Sequence, residues 1–214
     1  MVEKKPITWI TKNGKHIPIY DQASDDEKKK EKQIADNESE ALEITKRKDY
    51  QVIANKSWED KLSQDERDAI ADYTNKTDEE INTALRRKKI PEKLKPIIKN
   101  IDSALSKYEL SQSIITYRGI NTSAFDNGIK VGSSFTEKGY SSTSVDKFIA
   151  GDFLKSEKDV LMRIVVPSGK GRGAFIGNVS NKPSEREFLL ARDTKFTITK
   201  IGQVQGYIMV DVTI

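Results

Sequence analysis

Three short groups of residues have side-chain types and spacings that could support a reaction. Arg118-Gly119 ends the strand-like run 114–117, Ser142-Thr143-Ser144 ends another extended segment, and Glu185-Arg186-Glu187 precedes the apolar run 188–191. An arginine can bind phosphate through paired hydrogen bonds, and hydroxyl groups can orient a carboxylate on a neighbouring strand. Residues two apart in an extended chain point to the same side, which would place both glutamates together. The three groups therefore predict an anion site beside a pair of carboxylates.

A pair of carboxylates suits the cleavage of an N-glycosidic bond. Breaking such a bond leaves an oxocarbenium-like sugar, and one carboxylate can bind the adjacent ribose hydroxyl and stabilise the developing positive charge. The other carboxylate can hydrogen-bond to an incoming guanidinium nucleophile and deprotonate it. In this scheme Arg118 would hold the phosphates of the ligand with two hydrogen bonds.

Each group also has a simpler explanation that needs no ligand. Arg118 could be a charged residue at an exposed strand edge, and the hydroxyls of Ser142-Thr143-Ser144 could cap a helix that starts at Val145. Glu185 and Glu187 could mark a solvated entry into a strand. The residue types alone leave both explanations open for each group.

The composition of the 214-residue chain excludes several other kinds of chemistry. It contains no Cys and one His, His16, which excludes thiol nucleophiles, disulfide scaffolds and zinc sites built from Cys and His. His16 lies in a charged N-terminal segment, which argues against a Ser-His-Asp triad. With 37 basic and 33 acidic residues, and no basic cluster interleaved with aromatic residues, nucleic acid is not an expected partner. No apolar run approaches the ~18–20 residues of a membrane span, and no secretory signal is visible at residues 1–6.

Residues 50–110 have the pattern of a helical lobe that could position these groups. Ser63-Gln64-Asp65-Glu66 and Thr77-Asp78-Glu79-Glu80 both have the spacing of a capping box at a helix start. A third helix is predicted after Pro91, where apolar residues recur at every third or fourth position. These residues are Leu94, Ile97, Ile98, Ile101 and Leu105.

Residues 111–214 have the pattern of strands separated by Gly, Asn and Ser. Strands are predicted at 114–118, 133–136, 139–142, 160–166, 174–177, 187–191, 195–201 and 207–214, with a short helix within 145–154. Helices followed by strands indicate an α+β fold, with an N-terminal helical lobe and a mostly antiparallel β core.

Residues 1–49 are predicted to be a charged arm or linker outside the folded domain of residues 50–214. Apolar and polar residues alternate around Asn13-Gly14 within 7–19, which predicts a small hairpin with a type I′ turn. The segment 21–48 mixes acidic and basic residues with few apolar ones, as linkers and marginal helices do.

The three groups, in this order, resemble the Arg / Ser-Thr-Ser / Glu-x-Glu class of the mono-ADP-ribosyltransferase family. The resemblance covers residues 50–214 and is to the enzymatic components of clostridial and bacillary binary toxins that modify actin. It extends into the helical lobe, where Trp58 and the segments 62–70, 73–74 and 81–86 are similar to the helical signature of those enzymes. It implies an ADP-ribosyltransferase-like fold whose β core has two layers, with a cleft between them that the helical lobe covers.

The resemblance also implies roles for the two glutamates and for the hydroxyl residues beside them. Glu187 would be the catalytic glutamate that binds the nicotinamide-ribose hydroxyl, and Glu185 would make arginine the acceptor. Ser142 would position Glu187, and Thr143 would support the pocket.

A second set of residues is implied to bind NAD. Arg118 would bind an NAD phosphate, and the backbone of Gly119 would face the nicotinamide amide. Tyr73 and Asn82 would close over the NAD from the helical lobe, and Phe153 would pack on the nicotinamide.

Two departures from the family pattern concern the target. The toxins often have a second arginine where this chain has Gly119, and an aromatic residue in the turn before the double glutamate, where this chain has 181–184 with Lys182 near the expected place. NAD chemistry is expected to survive both changes, while the identity of the target, actin in particular, is left open. The segment 9–19 resembles a part of phage head-morphogenesis proteins, some of which carry such transferase domains, which would make the target a bacterial protein.

Together these likenesses imply an NAD⁺–protein-arginine ADP-ribosyltransferase, as a toxin, effector or phage enzyme. NAD would be its co-substrate without any metal, and its partner would be a protein with an accessible arginine. It would act in the cytoplasm of a bacterial or target host cell, either where it is made or after delivery by another component. Two alternatives stay open: an NAD glycohydrolase, in which water replaces arginine, and a non-catalytic NAD-binding or virion structural module.

Overall fold

A computed structural model gives the structure of most of the chain. It describes residues 8–12, 15–19, 41–43, 53, 56–122, 125, 129–154, 156, 159–204 and 207–214. Within these ranges no helix is long and apolar enough to cross a membrane.

The helical lobe consists of four helices in the first half of the described chain. They are α1 (Lys56–Glu59), α2 (Gln64–Asp72), α3 (Asp78–Arg86) and α4 (Lys95–Ser106). A π-helical turn, Tyr73–Thr77, joins α2 to α3, and a 3-10 turn, Glu92–Leu94, leads into α4. A fifth helix, α5 (Lys147–Gly151), lies within the β core.

The two predicted capping boxes have different outcomes. The box at the start of α2 is confirmed, because Ser63 Oγ accepts from the backbone N–H of Glu66, and the Glu66 carboxylate accepts from the N–H of Ser63 at 2.8 Å. The box predicted at Thr77 is wrong. Thr77 has helical backbone angles and makes no capping hydrogen bond, because the chain is already helical through the π-helical turn when α3 begins.

The lobe packs on the sheet through one continuous apolar core. Ile98, Ile101 and Leu105 are buried along one face of α4 and Leu94 is buried in the turn before it, as their spacing predicts, whereas Ile97 is only partly buried. The lobe's Trp58 meets Tyr108 edge to face, and Tyr108 in turn meets Phe188 of the β core. Polar contacts reinforce this junction, since Asp102 of α4 accepts from the Tyr140 hydroxyl at 2.7 Å and from Arg192 Nε.

In the described part of the chain, the β core is a mixed, mostly antiparallel sheet of nine strands. The strands are β3 (Leu42–Glu43), β5 (Ile114–Asn121), β6 (Ser134–Glu137), β7 (Ser141–Ser144), β8 (Asp159–Val166), β10 (Gly173–Phe175), β11 (Glu187–Leu190), β12 (Thr194–Val204) and β13 (Tyr207–Thr213). Their hydrogen-bonded order is β10-β11-β7-β5-β8-β13-β12-β6, with β3 pairing in parallel beside β5. Two short strands, β4 (Glu109–Leu110) and β9 (Gly169–Lys170), pair separately.

The two halves of this sheet are joined by very little pairing. β5 pairs with β8 along its whole length, from Ile114 to Asn121, whereas it pairs with β7 only where Tyr117 meets Ser144. Beyond that single pair, no further backbone pairing joins β5 to β7 among the described residues. The two-layer β core implied by the resemblance is therefore one hydrogen-bonded sheet whose two halves are joined at this single pair.

The segment predicted to be an arm contributes to this sheet. Leu42 and Glu43 form β3 on the edge of β5, and the Glu43 carboxylate accepts a hydrogen bond from the Tyr117 hydroxyl. Upstream, β1 (Thr8–Lys12) and β2 (Lys15–Ile19) pair antiparallel where a hairpin is expected, and its turn, Asn13-Gly14, lies outside the described residues. The domain boundary at residue 50 stays a prediction, although β3 shows that the sheet includes residues before it.

Candidate active site

The cleft opens where β5 and β7 separate, with the helical lobe on one side of it. Its volume is about 240 Å³. All ten residues with a predicted site role line this one cleft, although they come from six separate segments of the chain. They are Tyr73, Asn82, Arg118, Gly119, Ser142, Thr143, Phe153, Lys182, Glu185 and Glu187.

Glu187 is the most deeply placed acid in the cleft. It is the first residue of β11, it is only 4% exposed, and its Oε1 atom has no hydrogen-bond partner among the described residues. The β7–β11 register pairs Glu187 with Ser144 and Leu189 with Ser142, so Ser142 is the diagonal neighbour of Glu187 on the same face. A buried acceptor without a donor costs free energy, and a ligand hydroxyl would satisfy it.

The surroundings of Glu187 raise the pKa of its carboxyl group to about 7. Burial has the largest effect, because it removes water from the charged form. The Ser142 hydroxyl and the Arg118 guanidinium lower this pKa, whereas the negative charges of Glu185 and Asp78 raise it. Ionised Glu187 therefore lowers the stability of the folded protein, and such perturbed carboxyl groups are common at active sites.

Because of this raised pKa, we expect Glu187→Gln to become increasingly more stable than wild type as the pH rises. The folded-state pKa of about 7 lies above the ordinary 4.5, so the stability linked to protonated Glu187 is present below pH 4.5 and is lost as the pH rises through 7. The glutamine variant does not titrate there. At about 1.4 kcal/mol per pKa unit, the free energy of unfolding of Glu187→Gln should rise by about 2–3 kcal/mol relative to that of wild type between pH 5 and pH 8.5. Urea unfolding at each pH measures this difference.

A matched control for this measurement is Glu109→Gln. Glu109 is an exposed residue of β4, outside the cleft, and its ion pair with Lys170 is 3.4 Å long. The control should show no gain that grows with pH. A constant difference between Glu187→Gln and wild type across the range would show that burial does not destabilise the Glu187 carboxylate.

The two glutamates share the cleft for a different reason from the one their spacing suggests. The backbone is not extended, because Glu185 ends a 3-10 turn, Pro183–Glu185, and Arg186 has left-handed angles of φ 49° and ψ 47°. The Arg186 side chain forms an ion pair with Asp146. Ser144 Oγ donates to the backbone carbonyl of Glu185 at 2.8 Å, which fixes the other side of the turn.

Arg118 and Gly119 form the opposite wall, within β5 and directly after Tyr117, where its pairing with β7 stops. One guanidinium nitrogen of Arg118 donates to the Ser142 carbonyl at 2.8 Å, which holds the side chain across the two halves of the sheet. An arginine has five N–H donors, so others remain to bind an anion. At Gly119 a Cβ atom would lie 2.9 Å from the Ala150 carbonyl oxygen. The close packing of α5 therefore explains why a larger residue does not fit here.

The side of the cleft formed by the lobe depends on Asn82. Its Nδ2 donates to the Tyr73 hydroxyl at 3.0 Å, and its Oδ1 accepts from the backbone N–H of Tyr140 at 2.8 Å. Burial is also the main reason why the pKa of Tyr73 rises to about 12, so the hydroxyl keeps its proton. Asn82 thereby connects the lobe to the start of β7. Across the cleft, Phe153 is 52% exposed and offers an uncovered aromatic face.

The ligand-free explanations for two of the groups are wrong. Asp146, not a residue of Ser142-Thr143-Ser144, caps α5, by accepting from the backbone N–H of Phe148 at 3.0 Å. Thr143 instead donates its hydroxyl proton to the Phe188 carbonyl at 2.6 Å, which binds β7 to β11. Glu187 is buried and does not form a solvated strand entry.

Six further residues line the cleft without having been given a site role from the sequence. They are Thr74, Asp78, Tyr117, Ser144, Ile149 and Ala150. Thr74, Tyr117 and Ser144 stand next to predicted site residues, so adjacency was an available signal for these three. Asp78 was interpreted only as part of a capping box, and its position on the cleft depends on the π-helical turn before it, which has no recognised sequence signature.

Comparison with known proteins identifies the family of the chain. The ADP-ribosyltransferase exoenzyme family matches residues 47–213. An NAD(+)–arginine ADP-ribosyltransferase called EFV, from Enterococcus faecalis, is 36% identical over 155 residues, which cover 69% of this chain and 31% of that protein. The chain thus spans about a third of the length of this relative.

Two solved structures share the fold. Plx2a, an ADP-ribosyltransferase toxin from Paenibacillus larvae, is 28% identical with a TM-score of 0.65, over 87% of this chain and 95% of that one. The enzymatic component C2-I of the Clostridium botulinum C2 toxin is 22% identical with a TM-score of 0.65, over 96% of this chain and 54% of that one. The resemblance, the α+β fold and the family match agree. The chain belongs to the ADP-ribosyltransferase exoenzyme family.

Proposed function

We propose that this protein transfers ADP-ribose from NAD to an arginine of a target protein and releases nicotinamide. The observation that carries the proposal is the pair of carboxylates in the cleft, one buried with an unpartnered oxygen and one at the mouth. The arginine activity named for the Enterococcus faecalis relative supports the same acceptor.

The residues of the cleft fit NAD as the co-substrate. Arg118 has N–H donors to spare for a phosphate, and Glu187 Oε1 needs a donor that a ribose hydroxyl would provide. Tyr73 and Asn82 would cover the dinucleotide from the lobe, and Phe153 would offer its face to the nicotinamide. Bound NAD supplies an ADP-ribosyl group whose bond to the positively charged nicotinamide is ready to break.

Glu187 stabilises the positive charge that develops on the ribose as that bond breaks. Its carboxylate is buried in the cleft, where a fixed charge acts more strongly than it does in solvent. Ser142 orients it from the neighbouring strand, and Thr143 holds β7 against β11 beneath it. The same carboxylate accepts a hydrogen bond from the ribose hydroxyl.

Glu185 selects arginine as the acceptor. It lies at the mouth of the cleft, where its side chain is 33% exposed and can meet a side chain from another protein. A guanidinium carries its charge at any ordinary pH, so it must lose a proton as its nitrogen attacks. The Glu185 carboxylate binds the guanidinium and accepts that proton.

Lys182 stands at the same mouth, with its ammonium 3.7 Å from the Glu185 carboxylate. Its position and 49% side-chain exposure suit contact with the target, so we assign it to target recognition. The target is a protein in the cytoplasm of either a bacterium or a host cell, and the chain would act as a toxin, effector or phage enzyme.

The direct test is release of nicotinamide from NAD, measured with and without agmatine as a soluble guanidinium acceptor. We expect release in both cases and ADP-ribosylated agmatine in the second. Release without any agmatine product, even when a mixture of cytoplasmic proteins is supplied, would instead indicate an NAD glycohydrolase. No release by folded protein that binds NAD would indicate a non-catalytic module.

A further inference from the structure

We propose that Asn181 is a positioning residue, which fixes the Glu185 carboxylate for an incoming arginine by tying the loop 177–186 to the helical lobe. The inference depends on the proposed function, because it concerns how the acceptor is held. Asn181 is exposed and does not line the cleft.

Asn181 makes two hydrogen bonds to the end of α2 and the π-helical turn. Its backbone N–H donates to Thr74 Oγ1 at 3.1 Å, and its side-chain Nδ2 donates to the Ala71 carbonyl at 2.9 Å. Thr74 Oγ1 donates in turn to the same Ala71 carbonyl at 3.1 Å. The three groups therefore form a closed set of hydrogen bonds, and Thr74 is both buried and part of the cleft wall.

Asn181, which makes these hydrogen bonds to the lobe, is only four residues from Glu185, and further hydrogen bonds hold the chain between the two residues. The backbone N–H of Glu185 donates to the Lys182 carbonyl at 3.1 Å, which closes the 3-10 turn. At the far end, Ser144 Oγ holds the Glu185 carbonyl. Hydrogen bonds thus hold the segment around Glu185 to the lobe on one side, through Asn181, and to β7 on the other, through Ser144. Losing either set should move the Glu185 carboxylate.

Asn178 offers a matched comparison within the same loop. Its Nδ2 donates to the Glu59 carboxylate of α1 at 2.6 Å, so it also joins the loop to the lobe through one side-chain amide. It lies three residues further from Glu185, within the turn that the N–H groups of Val179 and Ser180 close onto the Ile176 carbonyl. A general loosening of the loop should follow from removing either asparagine, whereas a specific role in placing Glu185 belongs to Asn181 alone.

The test measures agmatine transfer and acceptor-free NAD hydrolysis on the same preparations of wild type, Asn181→Ala and Asn178→Ala. A displacement of about 1 Å in a reacting group can cost up to ~100-fold in rate. We expect Asn181→Ala to lower kcat for agmatine transfer by about 10-fold, with NAD hydrolysis and KM for NAD within about 2-fold of wild type. Asn178→Ala should keep both activities.

A second pair of variants separates positioning from loss of structure. Thr74→Val removes the hydroxyl that accepts from the Asn181 N–H, so it should reproduce the selective loss of transfer. Thr74→Ser keeps this hydroxyl and should have the transfer activity of wild type.

Two results would overturn the inference while leaving the proposed function standing. One is an unchanged ratio of transfer to hydrolysis in Asn181→Ala, and the other is an equal loss of both activities in Asn181→Ala and Asn178→Ala. Failure of wild type to modify agmatine or any protein, despite releasing nicotinamide, would overturn the proposed function and this inference with it.

Discussion

Glu187→Gln is expected to abolish nicotinamide release, both with and without an arginine acceptor. Glutamine keeps the size of the side chain and an oxygen that can accept a hydrogen bond, but it has no negative charge to offer the developing positive charge on the ribose. Loss of one such preorganised group typically costs about 10²- to 10³-fold in kcat, and for the charge of a buried carboxylate we expect the upper end of that range.

The binding of NAD should survive this change. The groups proposed to hold the phosphates and to cover the dinucleotide, Arg118 and the Tyr73–Asn82 pair, do not depend on the charge of Glu187 for their hydrogen bonds. Calorimetric titration with NAD on the variant therefore tests binding separately from turnover. The control Glu109→Gln should have the activity of wild type. A Glu187→Gln variant that binds NAD and keeps more than a tenth of the wild-type turnover would contradict the role assigned to Glu187.

Most of the fold could be predicted from the sequence because its periodicities are strong. The apolar spacing of α4 and the dense β-branched run of β8 each allow one kind of element, and both form as expected. The error at Thr77 has a physical cause, since a capping box describes a helix that starts from extended backbone and this chain enters α3 from a π-helical turn. β3 could not be predicted because it has only two residues, too few to show the alternation of apolar and polar residues that indicates a strand.

The site could be predicted as a set of residues but not as a geometry. The order of Arg118, Ser142-Thr143-Ser144 and the two glutamates marks the set, because each residue type suits one part of the chemistry. The left-handed backbone of Arg186 could not be foreseen, since a non-glycine residue adopts it only where the surrounding fold requires it. The tie from Asn181 to Ala71 joins positions 110 residues apart, and nothing in one sequence links them.

Glu185→Gln is expected to abolish transfer to arginine while leaving NAD hydrolysis within about 5-fold of wild type. General-base removal of a proton contributes about 10²- to 10⁴-fold, and a guanidinium, with its very high pKa, depends on it strongly. Water needs less help against a reactive ribose, and Glu187, which stabilises that ribose, stays in place. Parallel assays of agmatine modification and acceptor-free nicotinamide release measure the two activities.

The contrast between the two glutamates carries more information than either variant alone. If Glu187→Gln loses both activities and Glu185→Gln loses only transfer, the buried carboxylate serves the departure of nicotinamide and the outer one serves the acceptor. If Glu185→Gln transfers arginine normally, its assigned role is wrong. If it loses hydrolysis as fully as transfer, then Glu185 acts on NAD itself. The selection of arginine would in that case have to come from elsewhere on the rim, where Asp78 of α3 is the remaining acidic residue of the cleft wall.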